Sequence, residues 1–191
     1  MFETFVKTDL GDKALMLHGL TGREALSQPY SFSLTLVNKL EDPPINQAAL
    51  LGTVVKVTLD DEYSADPRVT EKPKRYFNGY VTRSVLEDVR GEFRIYRVEL
   101  RPWLWLLDKT SNCRVFQNKT VPEIVQEVFR KNGFTDFTVK LGTYKPREYC
   151  VQYRESDLAF VSRLLEHEGI YYYFEFAETK HTLVLADGTS P

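Results

Sequence analysis

Apolar and polar side chains alternate along much of the first hundred residues, and this period of two constrains the fold more than any other feature. In the clearest run, residues 30–37, the apolar side chains of Tyr30, Phe32, Leu34 and Leu36 alternate with the polar side chains of Ser31, Ser33 and Thr35. Such alternation is typical of strands with one buried face. Similar runs predict strands at 2–6, 13–20, 53–59, 75–87 and 92–101, with turns at 9–12 and 19–29, a short helix at 45–51 and a loop at 60–73. Sequential strands of this kind usually close into a small barrel or a sandwich, and we predict a small antiparallel β-barrel over residues 1–102.

The pattern changes after residue 102, where helical signals appear between shorter strands. Thr120, followed three residues later by Glu123, is typical of a capping box at the start of a helix. Ser156 caps a second helix, which Gly169 ends. Further elements are predicted as a short helix at 103–107 and strands at 134–141, 170–176 and 181–186. The fold class is therefore mainly β, with an α+β second domain over residues 103–191.

Composition excludes several classes of protein. The 25 Lys and Arg residues nearly balance the 27 Asp and Glu residues, so no general attraction to nucleic acid or anionic lipid is expected. No apolar run approaches the ~20 residues that span a bilayer, and the first residues do not resemble a cleaved signal peptide. We therefore predict synthesis in the cytoplasm and no direct membrane anchor. Cys113 and Cys150 have no CxxC partner and are expected to be buried free thiols, with a disulfide left open.

The candidates for chemistry are weak. His167 lies between Glu166 and Glu168, but no second histidine follows four residues later, so this segment is interpreted as a solvated helix face on which Arg163 pairs with Glu166. Neither a GxSxG nor a phosphate-binding glycine loop is present. The basic residues Lys72, Lys74 and Arg75 stand beside acidic ones and are interpreted as a solvated loop. We predict no catalytic residue, no metal and no cofactor.

One strand carries aromatic side chains on both faces. A strand with one solvated face normally alternates, so a run of this kind indicates that the second face is also covered. Burial within the chain and burial against another subunit both stay open. The candidate interface residues are Tyr171, Tyr172, Tyr173, Phe174 and Phe176.

The stretch from residue 149 to 176, YCVQYRESDLAFVSRLLEHEGIYYYFEF, resembles the most recognisable block of a known family. Residues 22–36, the FNGYVT segment at 77–82 and the YRVELRPWLWLL segment at 96–107 fit the same family, the VgrG spike proteins of the type VI secretion system. Their N-terminal region is itself similar to the phage baseplate hub. The motif residues carried over are Gln152, Tyr153, Glu155, Ser156, Asp157, Phe160, Arg163, Leu164, Glu168 and Gly169.

This resemblance implies a structural role without catalysis. It implies that the full-length protein is a homotrimer that docks on the Hcp tube hexamer. It also implies a PAAR protein at the needle tip and effectors, both carried by regions beyond this stretch. It also implies a Gram-negative bacterium that secretes the protein through the type VI system to the exterior or into a target cell. The chain corresponds to a hub fragment truncated at its C-terminus. A cell-wall-degrading enzyme using Glu166 or Glu168 and a single-strand nucleic-acid-binding barrel are the alternatives.

Overall fold

The computed structural model describes residues 6–8, 11, 14–60 and 74–188. The strand predicted at 2–6, apart from Val6, and nearly all of the loop predicted at 60–73 lie outside these residues. The chain divides into two compact units. The first contains the described residues of 1–23, 30–101 and 176–181, and the second contains those of 24–29, 102–175 and 182–191.

The first unit is built on a five-stranded sheet. Along the sheet the order is β1-β2-β5-β4-β3, and the pairs β2–β5, β5–β4 and β4–β3 are antiparallel. A four-residue helix, α1 (Gln47–Leu50), precedes β3. The strands are β1 (Met16–Ala25), β2 (Gln28–Lys39), β3 (Val54–Asp60), β4 (Lys74–Arg90) and β5 (Phe93–Arg101).

A short N-terminal segment joins the two edges of this sheet. Lys7 forms an antiparallel bridge to Lys56 of β3, with both N–H···O distances at 3.1 Å. The neighbouring Val6 N–H donates to the carbonyl of Leu15, directly before β1. The sheet is therefore curled, as the alternation of the sequence predicts. The inner face is buried, with Tyr30, Phe32, Leu34 and Leu36 each at most 1% exposed.

The turn predicted at 19–29 is wrong in its extent. Strand β1 continues to Ala25, and only Leu26 and Ser27 separate it from β2. Gly22, which falls within the predicted turn, lies inside the strand against Phe32. A Cβ atom built at Gly22 would stand 2.2 Å from Phe32 Cδ1. The glycine therefore permits a close approach between neighbouring strands instead of a turn.

The second unit combines a two-stranded ribbon, a three-stranded sheet and two longer helices. Strands β6 and β8 pair antiparallel, while the other sheet has the order β7-β10-β9 with β7 parallel to β10. The elements are α2 (Trp103–Leu106), a 3₁₀ turn (Leu107–Lys109), β6 (Ser111–Lys119), α3 (Val121–Lys131), β7 (Phe137–Lys140), β8 (Arg147–Ser156), α4 (Asp157–Glu168), β9 (Tyr171–Phe176) and β10 (His181–Ala186). Phe176 and His181 belong to the first unit.

The predicted helix ends are confirmed. Thr120 and Glu123 form the capping box of α3, Ser156 accepts from the N–H of Ala159, and Gly169 ends α4 with a left-handed φ of 70°. Strands β6 and β8 were not predicted. Within the described ranges, no helix has the length and apolar character needed to cross a bilayer.

Candidate functional site

The buried carboxylate of Asp157 is the centre of the motif block. Asp157 is the first residue of α4, its side chain is fully buried, and its backbone N–H donates to the Thr110 carbonyl at 2.9 Å. Each carboxylate oxygen accepts three hydrogen bonds. The donors to Oδ1 are Asn112 Nδ2 (3.0 Å), Arg114 Nη2 (2.8 Å) and Gln152 Nε2 (2.7 Å), and those to Oδ2 are Thr110 Oγ1 (3.1 Å), Arg114 Nη2 (2.7 Å) and Asn132 Nδ2 (2.8 Å).

These donors come from separate parts of the second unit. Asn112 and Arg114 lie on β6, and Gln152 on β8. Asn132 is the C-cap of α3, and its Nδ2 also donates to the Val128 carbonyl. One carboxylate therefore fastens the start of α4 to the end of α3 and to both strands of the ribbon.

Burial alone would raise the pKa of Asp157, because a buried carboxylate loses its hydration. The hydrogen bonds from Gln152, Asn132, Asn112 and Arg114 favour the ionised form and outweigh burial, so the pKa lies below its ordinary value. The carboxylate is ionised at neutral pH and is paired with the Arg114 guanidinium. This arrangement is suited to holding elements together, since the group neither reaches solvent nor carries a proton near neutrality.

The lowered pKa predicts a pH dependence of stability. A group whose pKa is lower in the folded state stabilises the fold above its unfolded pKa, about 3.9 for Asp, and this contribution is lost as the pH falls through the folded pKa. We expect the difference in unfolding free energy between the wild type and Asp157→Asn to be constant from pH 7 to about 5 and to shrink below about 4. Urea unfolding followed by tryptophan fluorescence measures this difference. If this difference in unfolding free energy grew as the pH fell, the lowered pKa of Asp157 would be contradicted.

Most other motif residues also serve the fold of the second unit. Glu155 pairs with Arg163 at 2.6 Å, and Glu168 with Arg147. Arg163 therefore does not pair with Glu166 as the sequence predicted, because β8 brings Glu155 within reach. Phe160, Leu164 and Gln152 are fully buried. Phe160 stacks on Phe116 at a centroid distance of 5.6 Å.

Tyr153 is the exception among the motif residues. Its side chain is 66% exposed and lies on the outer surface of the ribbon. The adjacent Arg154, with a φ of 51°, is the extra residue of a bulge, because Asn112 pairs with Glu155 and Cys113 with Tyr153. The bulge leaves Tyr153 pointing outward, opposite to Gln152.

The outer surface of the ribbon, which we call the ribbon face, is exposed, and the six side chains of its facing pairs carry no charge, although the Arg154 guanidinium lies over the Tyr153 ring, 5.3 Å from its centroid. Its facing pairs are Cys113–Tyr153, Val115–Val151 and Gln117–Tyr149. Tyr149 is 59% exposed, Val115 53% and Val151 39%. At the centres of protein interfaces, tyrosine is enriched and charged residues are depleted. The ribbon face therefore has the composition of a docking surface. The ribbon face was not predicted from the sequence, although Tyr149, Val151 and Tyr153 stand at every second position.

Cys113 is exposed on the ribbon face and Cys150 is buried beneath it, and both are free thiols. The expectation of two buried thiols is therefore wrong for Cys113. The alternation of side chains along the ribbon explains the difference, because Cys113, opposite Tyr153, points to the outer side of the ribbon, whereas Cys150, opposite Phe116, points to the inner side.

The aromatic strand β9 is largely covered within the chain. Tyr172 is buried, and Tyr171, Tyr173 and Phe174 are half-buried. The hydroxyl of Tyr171 donates to the Gly188 carbonyl at 2.6 Å. Phe176 is also half-buried and packs in the first unit, where its ring centroid lies 5.1 Å from that of Tyr30. An interface role for these residues stays a prediction.

His167 and Glu168, which were considered for chemistry, share one structural partner. Glu168 is bound by Arg147, which also contacts His167 Nδ1 at 2.8 Å. Lys74 is exposed, and the Arg75 guanidinium lies over the Phe77 ring at 5.1 Å; Lys72 lies outside the described residues. In the part of the chain that is described, no group of His, Cys, Asp or Glu side chains could hold a metal ion.

Comparison with known proteins identifies the family. Residues 23–191 match the family described as phage tail baseplate hub (GPD). This chain belongs to that hub family. It is 45% identical to the type VI secretion system spike protein VgrG1c and 43% identical to VgrG1b of Pseudomonas aeruginosa, each over 183 residues. These matches cover 95% of this chain but only 24% and 23% of the two relatives, so the hub chain spans about a quarter of their length.

Solved structures agree with this assignment. The E. coli c3393 protein, described as a type VI secretion component similar to the phage T4 tail proteins gp27 and gp5, superposes with a TM-score of 0.82 at 25% identity. The match covers 97% of the hub chain and 49% of that protein. A 43 kDa tail protein of prophage MuSo2 from Shewanella oneidensis shares the fold, with a TM-score of 0.60 at 18% identity over 97% of the hub chain and 54% of that protein. The predicted fold class and the resemblance are confirmed.

Proposed function

We propose that this protein is a structural element of a type VI secretion spike hub and works by docking, without catalysing a reaction. The observation that carries the proposal is the ribbon face, whose facing side chains are uncharged and on which the motif residue Tyr153, in contact with the Arg154 guanidinium, is 66% exposed. The other motif residues named above have structural roles within the chain, whereas Tyr153 is directed outward. A side chain placed in this way is suited to contact with another protein.

The charge pairing of the motif supports docking over chemistry. A general acid or base must reach a substrate and exchange a proton with it. Asp157 is buried with a lowered pKa, and Glu155 and Glu168 are held by arginines. These three carboxylates are therefore occupied in holding β8 and α4 in place. The ribbon face is the part of the block that we propose is presented to a partner.

The proposed partners follow from the family. The full-length protein forms a homotrimer whose hub docks on the Hcp tube hexamer. Its further regions carry a needle, a tip PAAR protein and effectors, and the type VI system secretes the assembly from the cytoplasm. A standard interface buries about 800 Å² on each partner. Six partly exposed side chains supply only part of that area, so the ribbon face acts as one contact among several.

The test replaces an exposed valine by glutamate at the centre of the ribbon face. Val151→Glu places a charge in the contact, and we expect it to weaken assembly of the spike with its tube protein by about 30-fold or more, as at an interface hot spot. Val139→Glu on β7 is the matched control, since Val139 is 38% exposed and Val151 39%. Sedimentation velocity of the full-length spike mixed with its tube protein measures both variants.

Three outcomes are distinguishable in this experiment. Loss of assembly with Val151→Glu but not with Val139→Glu supports docking through the ribbon face. Assembly that is equally strong in both variants removes the ribbon face from the contact. A wild-type protein that neither self-associates nor binds the tube protein contradicts the proposed function itself.

A further inference from the structure

The Asp157 cluster contains two buried polar atoms that have no hydrogen-bond partner in the protein. One is Nη1 of Arg114 and the other is Oε1 of Gln152. Gln152 is fully buried, and neither atom is accessible to solvent. Buried polar atoms of native proteins are nearly always paired with protein or with ordered water, so both atoms require an explanation.

The two atoms are chemically complementary and belong to facing residues. A guanidinium nitrogen only donates, and an amide oxygen only accepts. Arg114 and Gln152 stand directly opposite each other in the register of β6 and β8. Arg114 Nη2 and Gln152 Nε2 bind the same oxygen, Asp157 Oδ1, at 2.8 and 2.7 Å. Both side chains thus converge on one atom, and the two unused atoms belong to the same buried cluster.

A simple reorientation of Gln152 does not resolve the problem. Its Nε2 already donates to Asp157 Oδ1 and to the Glu155 carbonyl at 3.1 Å. Exchanging the amide nitrogen and oxygen would turn the oxygen toward these two acceptors and lose both bonds. The Asp157 contacts therefore determine the amide orientation and direct Oε1 away from them.

We propose that Arg114 Nη1 and Gln152 Oε1 hold one buried water molecule. Nη1–H donates to the water oxygen, and the water donates to Oε1, so that both atoms are satisfied. Asp157 already balances the charge of Arg114, so the site favours a small neutral molecule over an ion. Water is the smallest molecule that both donates and accepts, and buried waters typically satisfy polar groups of this kind. The water would complete the link between the two ribbon strands beneath the ribbon face.

A crystal structure of this chain at about 1.5 Å resolution or better tests the proposal directly. We expect one fully occupied water within about 2.7–3.2 Å of both atoms, with a displacement parameter like that of the surrounding side chains. A direct bond between Nη1 and Oε1 would overturn the proposal. So would a region without density, or density of an ion in place of water.

A solution measurement tests the same site with a variant. Oxygen-17 magnetic relaxation dispersion counts waters that stay bound far longer than those at the surface. Arg114→Lys keeps the positive charge but removes the second guanidinium nitrogen, and we expect it to lose one long-lived water. Arg163→Lys is the matched control, because the Arg163 side chain is 53% exposed and its guanidinium binds Glu155 in the same unit, and this variant should lose no long-lived water. An unchanged water count in a folded Arg114→Lys protein would contradict the proposal.

Discussion

Replacing Asp157 by asparagine is expected to lower the unfolding free energy of the second unit by about 3–5 kcal/mol, the cost of removing one partner from a buried ion pair. The carboxylate accepts six hydrogen bonds, and the Arg114 side chain is only 18% exposed. An asparagine retains one acceptor oxygen but turns an NH₂ group toward donors that had faced an oxygen. The Arg114 charge is then left in a largely buried position without its counter-charge.

The two tryptophans of the chain make this unit easy to monitor. Both lie in α2. Trp103 is buried, and its ring centroid lies 4.9 Å from that of Phe134 and 5.0 Å from that of Phe129. Tryptophan fluorescence during urea unfolding therefore reports on the second unit. The midpoint should fall while the slope stays the same, since a changed slope would indicate a change in the amount of surface exposed on unfolding.

Glu127→Gln is the matched control, because it also changes a carboxylate to an amide. Glu127 on α3 pairs with Lys119 and, at 2.7 Å, with Lys131, and these lysines lower its pKa. Both lysine side chains are about half exposed, so solvent screens the pairs and the expected loss is below about 1 kcal/mol. An Asp157→Asn effect no larger than that of Glu127→Gln would show that the Asp157 cluster does not hold the unit together.

The first unit could be predicted from the sequence because its strands separate apolar from polar residues. Tyr30, Phe32, Leu34 and Leu36 are all buried, as their alternation predicts. The helices α3 and α4 could be predicted from local signals, since a capping residue and a C-terminal glycine act within one turn. These signals require no knowledge of the distant parts of the chain.

The ribbon was missed because its pattern is inverted. Besides Phe116 and Cys150, the inner face of β6 and β8 carries the polar residues Asn112, Arg114 and Gln152, which surround a buried carboxylate, while the outer face carries tyrosines and valines. A rule that assigns apolar residues to the core therefore places this ribbon the wrong way round. The donors to Asp157 are also spread from residue 110 to 152, so only the tertiary fold brings them together.

Gly22→Ala is expected to destabilise the first unit by about 3 kcal/mol, at the upper end of the usual cost of overpacking a core. A Cβ atom at this position would lie 2.2 Å from Cδ1 and 2.8 Å from Cε1 of Phe32. The ring cannot move away easily, because Phe32 is only 1% exposed. The centroid of its ring lies 4.7 Å from that of Tyr30 and 5.2 Å from that of Phe77. The strand, the ring or both must therefore shift.

Gly19→Ala on the same strand provides the control. The nearest atom to a Cβ at Gly19 is Thr35 Cβ, at an ordinary contact distance of 3.8 Å. This change should therefore be neutral or stabilise by up to about 1 kcal/mol, because alanine restricts the unfolded chain more than glycine does. Far-UV circular dichroism during urea unfolding measures both variants, since the tryptophans report on the other unit.

A second substitution separates the clash with Phe32 from any general effect of alanine in the strand. In a Phe32→Leu background the ring is absent, and Gly22→Ala should cost at least about 1 kcal/mol less than in the wild type, because residues in contact are energetically coupled. Equal costs in the two backgrounds would contradict the close approach of Gly22 to Phe32.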